Sequence, residues 1–233
     1  MTDVRDIGTT YRAELVRKTI HLCSLSIPIA YAFLPRLTML YLLIPITILF
    51  AATDAARLYV PAFGAFYHRL FGWLLRTHER EKGSGRFTGA TFVLLSACIS
   101  IATFPKVVAI TAFSILIVSD TVAALVGRKF GTVRFFRKTV QGAAGFFVSA
   151  VIVVMLAPKV SGNPAEYLAG ICGAAVGTVV ESLSGSLDDN FTIPIIVGLT
   201  MWLLYGLMVP VDVFGLDGAA MLTRTEALLF AGR

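Results

Sequence analysis

The sequence predicts an all-α, polytopic integral membrane protein of about seven transmembrane helices, and three observations carry that prediction. Hydrophobic residues make up 57% of the 233 positions and charged residues 15%, with a mean hydropathy of +0.81. That composition is far from an ordinary soluble domain. The apolar residues come in long runs parted by short polar stretches, as bilayer-crossing helices require. The cations are segregated: fifteen of the twenty Lys and Arg precede the first run or lie in the second-to-third and fourth-to-fifth connections.

Taken in order, the runs predict helices over Thr19 to Leu34, Leu37 to Ala52, Thr88 to Phe104, Val107 to Val126, Val140 to Ala157, Glu166 to Val180 and Thr192 to Val209. The shorter ones, at ~1.5 Å per residue, fall below a ~30 Å hydrocarbon core unless flanking residues extend them or the bilayer thins. Pro28 and Pro45 are tolerable where neighbours satisfy the freed carbonyls, and Pro194 stands near a predicted helix start. The first run, with its basic lead and Ala30-Tyr31-Ala32, imitates a secretory signal. Asp3, Asp6 and Glu14 make a poor leader region, so a span is expected instead. After Pro61, Phe63, Phe66, Leu70 and Trp73 or Leu74 recur at helical spacing, which predicts a helix lying in the membrane interface or packed on the bundle. Ala165, Ala169, Gly173 and Gly177 form a small-residue row that lets another helix approach.

The expected organisation is a single membrane-embedded domain over residues 1–210 and a tail over 211–233. By the positive-inside rule the N-terminus is cytoplasmic and the C-terminus lies across the membrane. Cys23, Cys98 and Cys172 sit in apolar runs, without a CxxC or a histidine at ligand spacing, and read as small buried hydrophobes. The net charge of +6 suits anionic lipids or phosphorylated ligands. With no nucleic-acid motif present, no nucleic-acid partner is expected. The sequence leaves the oligomeric state open.

Four polar clusters carry the candidate chemistry. Glu14, Arg17, Lys18 and His21 share one face of a helix, a polar stripe reaching into the bilayer. Asp120 lies inside an apolar run, where a carboxylate needs a reason. A loop rich in cations follows it, with Arg128, Lys129, Arg134, Arg137 and Lys138 beside Gly127 and Gly131. Glycines there would let backbone N–H groups approach a di- or triphosphate; a topogenic basic loop after an interfacial Asp is the alternative. Glu79 to Arg86 reads as a lid over a polyanion or as a solvated loop. Glu181, Asp188 and Asp189 offer oxygen ligands to Mg²⁺, unless Asp188 to Thr192 serve only to cap the next helix. All four clusters fall at one face of the membrane on this topology.

The order and spacing of these fragments resemble the dolichol kinase and phytol kinase family, which includes the CTP-dependent diacylglycerol kinases. Glu14-Leu-Val-Arg17-Lys18-Thr-Ile-His21 is similar to the family's opening motif. Asp120 to Gly131 resembles its D-x-x-A-x-x-x-G-R-x-F-G element, followed by Lys138-Thr139-x-Gln141-Gly142; Glu181 and Asp188 to Pro194 resemble its last motif. The resemblance implies transfer of the γ-phosphoryl group of CTP, with Mg²⁺, to a lipid alcohol such as a long-chain isoprenoid or diacylglycerol. It implies Asp120 and His21 as catalytic residues, and Arg17, Lys18, Gly127, Arg128, Gly131, Lys138 and Gly142 as nucleotide-binding residues. Asp120, Asp188, Asp189 and Glu181 become metal ligands. Gln141 departs from the family, which usually has Glu there.

Two rival functions share these features. Phosphatidate cytidylyltransferases have a similar central element and also use CTP, but their late Asp-Arg-x-Asp element is missing from this sequence. A transporter would use Asp120 and Glu181 as a proton relay, yet the two halves show no matching spans.

Overall fold

A computed structural model describes residues 15–73, 87–184 and 188–208. Glu14, the segment 78–86 and the tail from Val211 lie outside the described residues. Helix α1 covers residues 15–23 and α2 covers Ser26–Phe33. The step between them has a local cause: Pro28 has no N–H for the Ser24 carbonyl, which accepts from Ile27 N at 3.0 Å instead. Then follow α3 (Arg36–Tyr59), α4 (Pro61–Phe71), α5 (Gly89–Thr103) and α6 (Lys106–Phe130). A small antiparallel hairpin, β1 (Arg134–Phe135) and β2 (Lys138–Thr139), leads into α7 (Val140–Leu156), α8 (Pro164–Leu183) and α9 (Asp189–Met208).

The protein is an all-α membrane protein, as expected, with one two-stranded ribbon where the sequence predicts only a loop. Among the described residues four helices, α3, α6, α8 and α9, are long and apolar enough to cross a membrane, while α5 and α7 are shorter apolar helices. Predicted ends fall short where polar residues continue a helix. α3 runs beyond Ala52 through Asp54 and Arg57 to Tyr59, and α6 beyond Val126 to Phe130. α9 starts at Asp189, which puts Pro194 inside the helix rather than near its start.

α6 is the central post. Along its apolar stretch 78% of residues are buried in the protein, against 22% for α3, so α6 is enclosed by the other helices and α3 turns mostly outward. Ala112, Ile115, Leu116 and Ile117 are wholly enclosed, with Phe146 of α7 and Ile193 and Val197 of α9 in the same core. The small-residue row of α8 works as predicted: a Cβ on Gly173 or Gly177 would sit 2.8 Å from Met201 or Val197 of α9. α4 lies tight across the end of α3, where a Cβ on Gly64 would sit 2.7 Å from the Arg57 carbonyl oxygen. Phe66 and Leu70 are exposed, so α4 packs on α3 by its other face.

The two ends of the bundle differ. At one end cations cap helix carbonyls: Lys106 Nζ donates to Leu34 O at 3.0 Å, Arg36 donates to Ala102 O at 3.1 Å, and Lys159 Nζ donates to Val154 O and Ala157 O. Buried Glu166 accepts N–H bonds from Val160, Ser161 and Asn163 and the hydroxyl of Tyr205. Lys159 is partly desolvated there, which lowers its pKa despite the nearby Glu166 carboxylate. The other end holds the candidate chemistry.

Candidate active site at one end of the bundle

α6 carries Asp120 about three turns before its end, facing inward at 3% exposure. A lone buried carboxylate is costly, and α1 supplies its partner. Lys18, itself buried, forms an ion pair with Asp120 Oδ2 and also donates to the Asp120 carbonyl at 3.3 Å. His21, one helical turn along α1, has Nε2 3.8 Å from the same carboxylate oxygen. That is beyond hydrogen-bond reach, and Nε2 has no hydrogen-bond partner among the described residues.

The hairpin brings in a second lysine. Lys138 Nζ lies 2.7 Å from Glu181 Oε1 at the end of α8 and 3.6 Å from Asp189 Oδ2 at the start of α9. Burial alone would lower the Lys138 pKa, but Asp189, Asp120 and Glu181 together hold it above the ordinary lysine value. Lys138 is thus the electrostatic link between the Asp120 pair and the two late carboxylates. The structure gathers Lys18, His21, Asp120, Lys138, Glu181 and Asp189 from five parts of the chain into one charged cluster.

Other expected residues stand differently. Asp188 precedes α9, and its Oδ1 accepts from Asn190 N at 2.9 Å and Asn190 Nδ2 at 2.8 Å. Through this oxygen it caps the helix. Arg17 is half-buried beside Lys18, and Arg128 is exposed at the end of α6.

The glycines of the expected cradle pack closely against their neighbours. Gly131 N donates to Gly127 O at 3.0 Å and Gly142 N to Thr139 Oγ1 at 3.2 Å, so these N–H groups are already used. A Cβ would sit 3.1 Å from Thr139 Oγ1 at Gly127 and at Gly142, and 2.7 Å from Thr139 Cγ2 at Gly131. These glycines let α6, the hairpin and α7 close around Thr139. The interlock fixes the residue next to Lys138.

Gln141 has a defined task. Its Oε1 accepts from Thr132 N at 3.1 Å and Val133 N at 3.4 Å, and its Nε2 donates to Thr132 Oγ1 at 2.7 Å. It holds the neck of the hairpin, while Lys138 finds its carboxylates elsewhere.

One buried cluster lies beyond the helix end that the sequence predicts. Asp54 Oδ2 accepts from Thr88 N at 2.7 Å, Thr88 Oγ1 at 2.9 Å and Thr91 Oγ1 at 2.7 Å, and Oδ1 faces Arg57 Nε at 3.3 Å. A carboxylate at the positive end of α5 is well placed electrostatically. The adjoining Gly89 abuts Asn190, where a Cβ would sit 2.9 Å from Nδ2, so this network braces the start of α9. The i, i+3 spacing of Asp54 and Arg57 just before Pro61 was the available signal.

Comparison with known proteins adds an independent line. No protein-family model matches the chain, and no solved structure matches it. The chain is 32% identical over 184 residues to the uncharacterized protein RP860 of Rickettsia prowazekii, covering 78% of this chain and 90% of that protein. It is 28% identical over 165 residues to CTP-dependent diacylglycerol kinase 1 of Schizosaccharomyces pombe, covering 65% of this chain and 74% of that protein. The protein of the same name from Saccharomyces cerevisiae is 29% identical over 214 residues, covering 81% of this chain and 72% of its own length. The chain therefore belongs to the same family as RP860 and is a homologue of the CTP-dependent diacylglycerol kinases.

Proposed function

We propose that this protein is a CTP-dependent lipid kinase that transfers the γ-phosphoryl group of CTP to a lipid alcohol, with diacylglycerol the first candidate acceptor. The observation that carries the proposal is the Lys18–Asp120 and Lys138–Glu181–Asp189 cluster at one end of a membrane bundle, in a chain homologous to proteins named for that activity. Lysines facing carboxylates inside a membrane protein can exchange partners when a polyanion arrives, and phosphoryl transfer asks mainly for positioning and charge stabilisation.

In this reading Lys138 and Lys18 bind the triphosphate, with Arg17 and Arg128 at the rim. Mg²⁺ takes hard oxygen ligands, usually one or two carboxylates with the rest from phosphate and water. Among the described residues no group of three or more metal-type side chains gathers, but Glu181 and Asp189, both beside Lys138, match that sparse demand and would hold the ion. Bound there it would neutralise developing phosphate charge.

His21 is the better general base. Asp120 is engaged by Lys18, whereas His21 Nε2 has no hydrogen-bond partner among the described residues. The acceptor hydroxyl gives its proton to His21 as its oxygen bonds to the γ-phosphorus, the bond to the β-phosphate oxygen breaks, and CDP leaves. The Asp120 carboxylate, 3.8 Å from Nε2, stabilises the protonated form of His21 by its charge. The site faces the cytoplasm, the protein spans the membrane seven times, and an isoprenoid alcohol is the alternative acceptor.

The deciding experiment incubates purified protein with γ-labelled CTP and, separately, diacylglycerol, phytol, geranylgeraniol and polyprenols. Label in a phosphorylated lipid supports the kinase and names its acceptor. Pyrophosphate release with phosphatidate, and no labelled lipid, overturns it in favour of cytidylyl transfer.

A further inference from the structure

The hairpin turn is unusual in what it displays. Two-residue turns that need positive φ favour Gly or Asn, yet here the position at φ +48° is Phe136. It is 56% exposed, and so are Val133 at 56% and Phe130 at 57%. A phenylalanine held in the left-handed region with its ring outside the protein gains nothing from the fold. Its neighbour Phe135 meets it edge to face, with centroids 4.7 Å apart, which fixes the ring's direction.

Cations surround these apolar groups. Arg134 and Arg137 are exposed and have no ion pair or side-chain hydrogen bond among the described residues. Lys129 Nζ lies over the Phe130 ring at 5.1 Å. Residues 121–165 contain no Asp or Glu to balance this charge. Aromatic side chains interleaved with unpaired cations are what a layer of anionic headgroups over acyl chains would complement. A free nucleotide has no use for outward apolar groups. The register also separates the roles: Phe135 pairs with Lys138 on one face of the ribbon, and Arg134 pairs with Thr139 on the other.

We propose that the hairpin tip is an anchor for an anionic bilayer surface: Phe130, Val133 and Phe136 sink into the headgroup region while Lys129, Arg134 and Arg137 pair with lipid phosphates. The anchor stands apart from the kinase reading, but it has a consequence for it. Lys138 is two residues from Phe136, and Arg137 N donates to Ser182 O at 3.2 Å beside Glu181. Headgroup contact at the tip therefore sets the position of a charged-cluster lysine.

The test needs no activity. Phe136→Trp is placed in full-length protein with Trp73 and Trp202 changed to Phe, and reconstituted in nanodiscs of phosphatidylglycerol or phosphatidylcholine carrying bromines high on the acyl chains. The expected result is emission quenched by about half in phosphatidylglycerol and clearly less in phosphatidylcholine, with Arg134→Gln/Arg137→Gln abolishing the difference. Val133→Trp gives the same readout if the first variant does not fold. Emission that ignores the brominated lipid but is quenched by aqueous iodide overturns the proposal. So does emission indifferent to the headgroup and shielded by CTP, which would assign the arginines to nucleotide phosphate.

Discussion

Lys138 Nζ lies 2.7 Å from Glu181 Oε1, joining the hairpin before α7 to the last turn of α8. Because the surrounding carboxylates raise the Lys138 pKa above the ordinary value of 10.5, the lysine stays charged through the physiological range. Its contribution to stability is present below about pH 10.5 and is lost as pH rises through the raised folded value. The thermal midpoint difference between wild type and Lys138→Gln should be constant from about neutral pH to about pH 10 and shrink above it. Turnover of this variant should fall by roughly 10²-fold at every pH. A gap that closes near neutral pH would show that Lys138 is not held as described.

Asp120→Asn should do two separable things. Removing one member of a buried ion pair leaves Lys18 without its carboxylate, at a cost of about 3–5 kcal/mol. Adding Lys18→Met should return most of the lost stability while turnover stays down by roughly 10²-fold or more. Denaturation and CTP-dependent lipid phosphorylation, measured on the same preparations, check this. Recovery of both together would make the pair structural only.

Gln141→Glu should keep the hairpin neck, since a carboxylate still accepts from Thr132 N and Val133 N and the Thr132 hydroxyl can turn to donate. Turnover should stay within about threefold of wild type. Gln141→Ala should lose these bonds and lower the thermal midpoint. Proteolysis at the hairpin is the simplest readout.

The glycine interlock predicts a contrast among Gly→Ala changes. Gly142→Ala meets Thr139, the Ala123 carbonyl and Gly127 within 3.4 Å, so it should destabilise by about 1–3 kcal/mol. Gly206→Ala has nothing within 4 Å and should be neutral or slightly stabilising, as helix propensity dictates. Comparing their melting in one detergent tests this directly.

Single cysteines at Arg134 and Ser161, at opposite ends of α7, should label from opposite sides of intact vesicles in a background free of Cys23, Cys98 and Cys172. Labelling of both from one side would sink the proposed orientation.

Much of the fold was legible because hydrophobic runs report helices directly: α5 and α7 begin and end within a residue or so of expectation. Apart from the break at Pro28, the misjudged ends share one cause. Asp54, Arg57, Arg128 and Asp189 are polar, and polarity alone reads as helix end, whereas here partners from distant segments or helix termini let the helix continue. The same blindness applies to the site. Lys18, His21, Asp120, Lys138, Glu181 and Asp189 were each visible as polar residues at apolar boundaries, but which lysine takes which carboxylate depends on how α1 and α8 approach α6. Gly127, Gly131 and Gly142 were visible as well, and their spacing imitates a phosphate loop. Only the position of Thr139 among them reveals packing.

Lys18 and Asp120 are 102 positions apart, and this separation has a consequence for biogenesis. The ribosome delivers the first helix long before its partner exists, so Lys18 is made with no carboxylate to meet and must keep its ammonium in the headgroup layer, as long basic side chains do. α6 then arrives with a carboxylate that is costly to insert alone. A lysine already in the membrane would lower that cost, because the two charges can then be buried as a pair. Formation of this pair waits for α6, and so would come late in the assembly of the bundle.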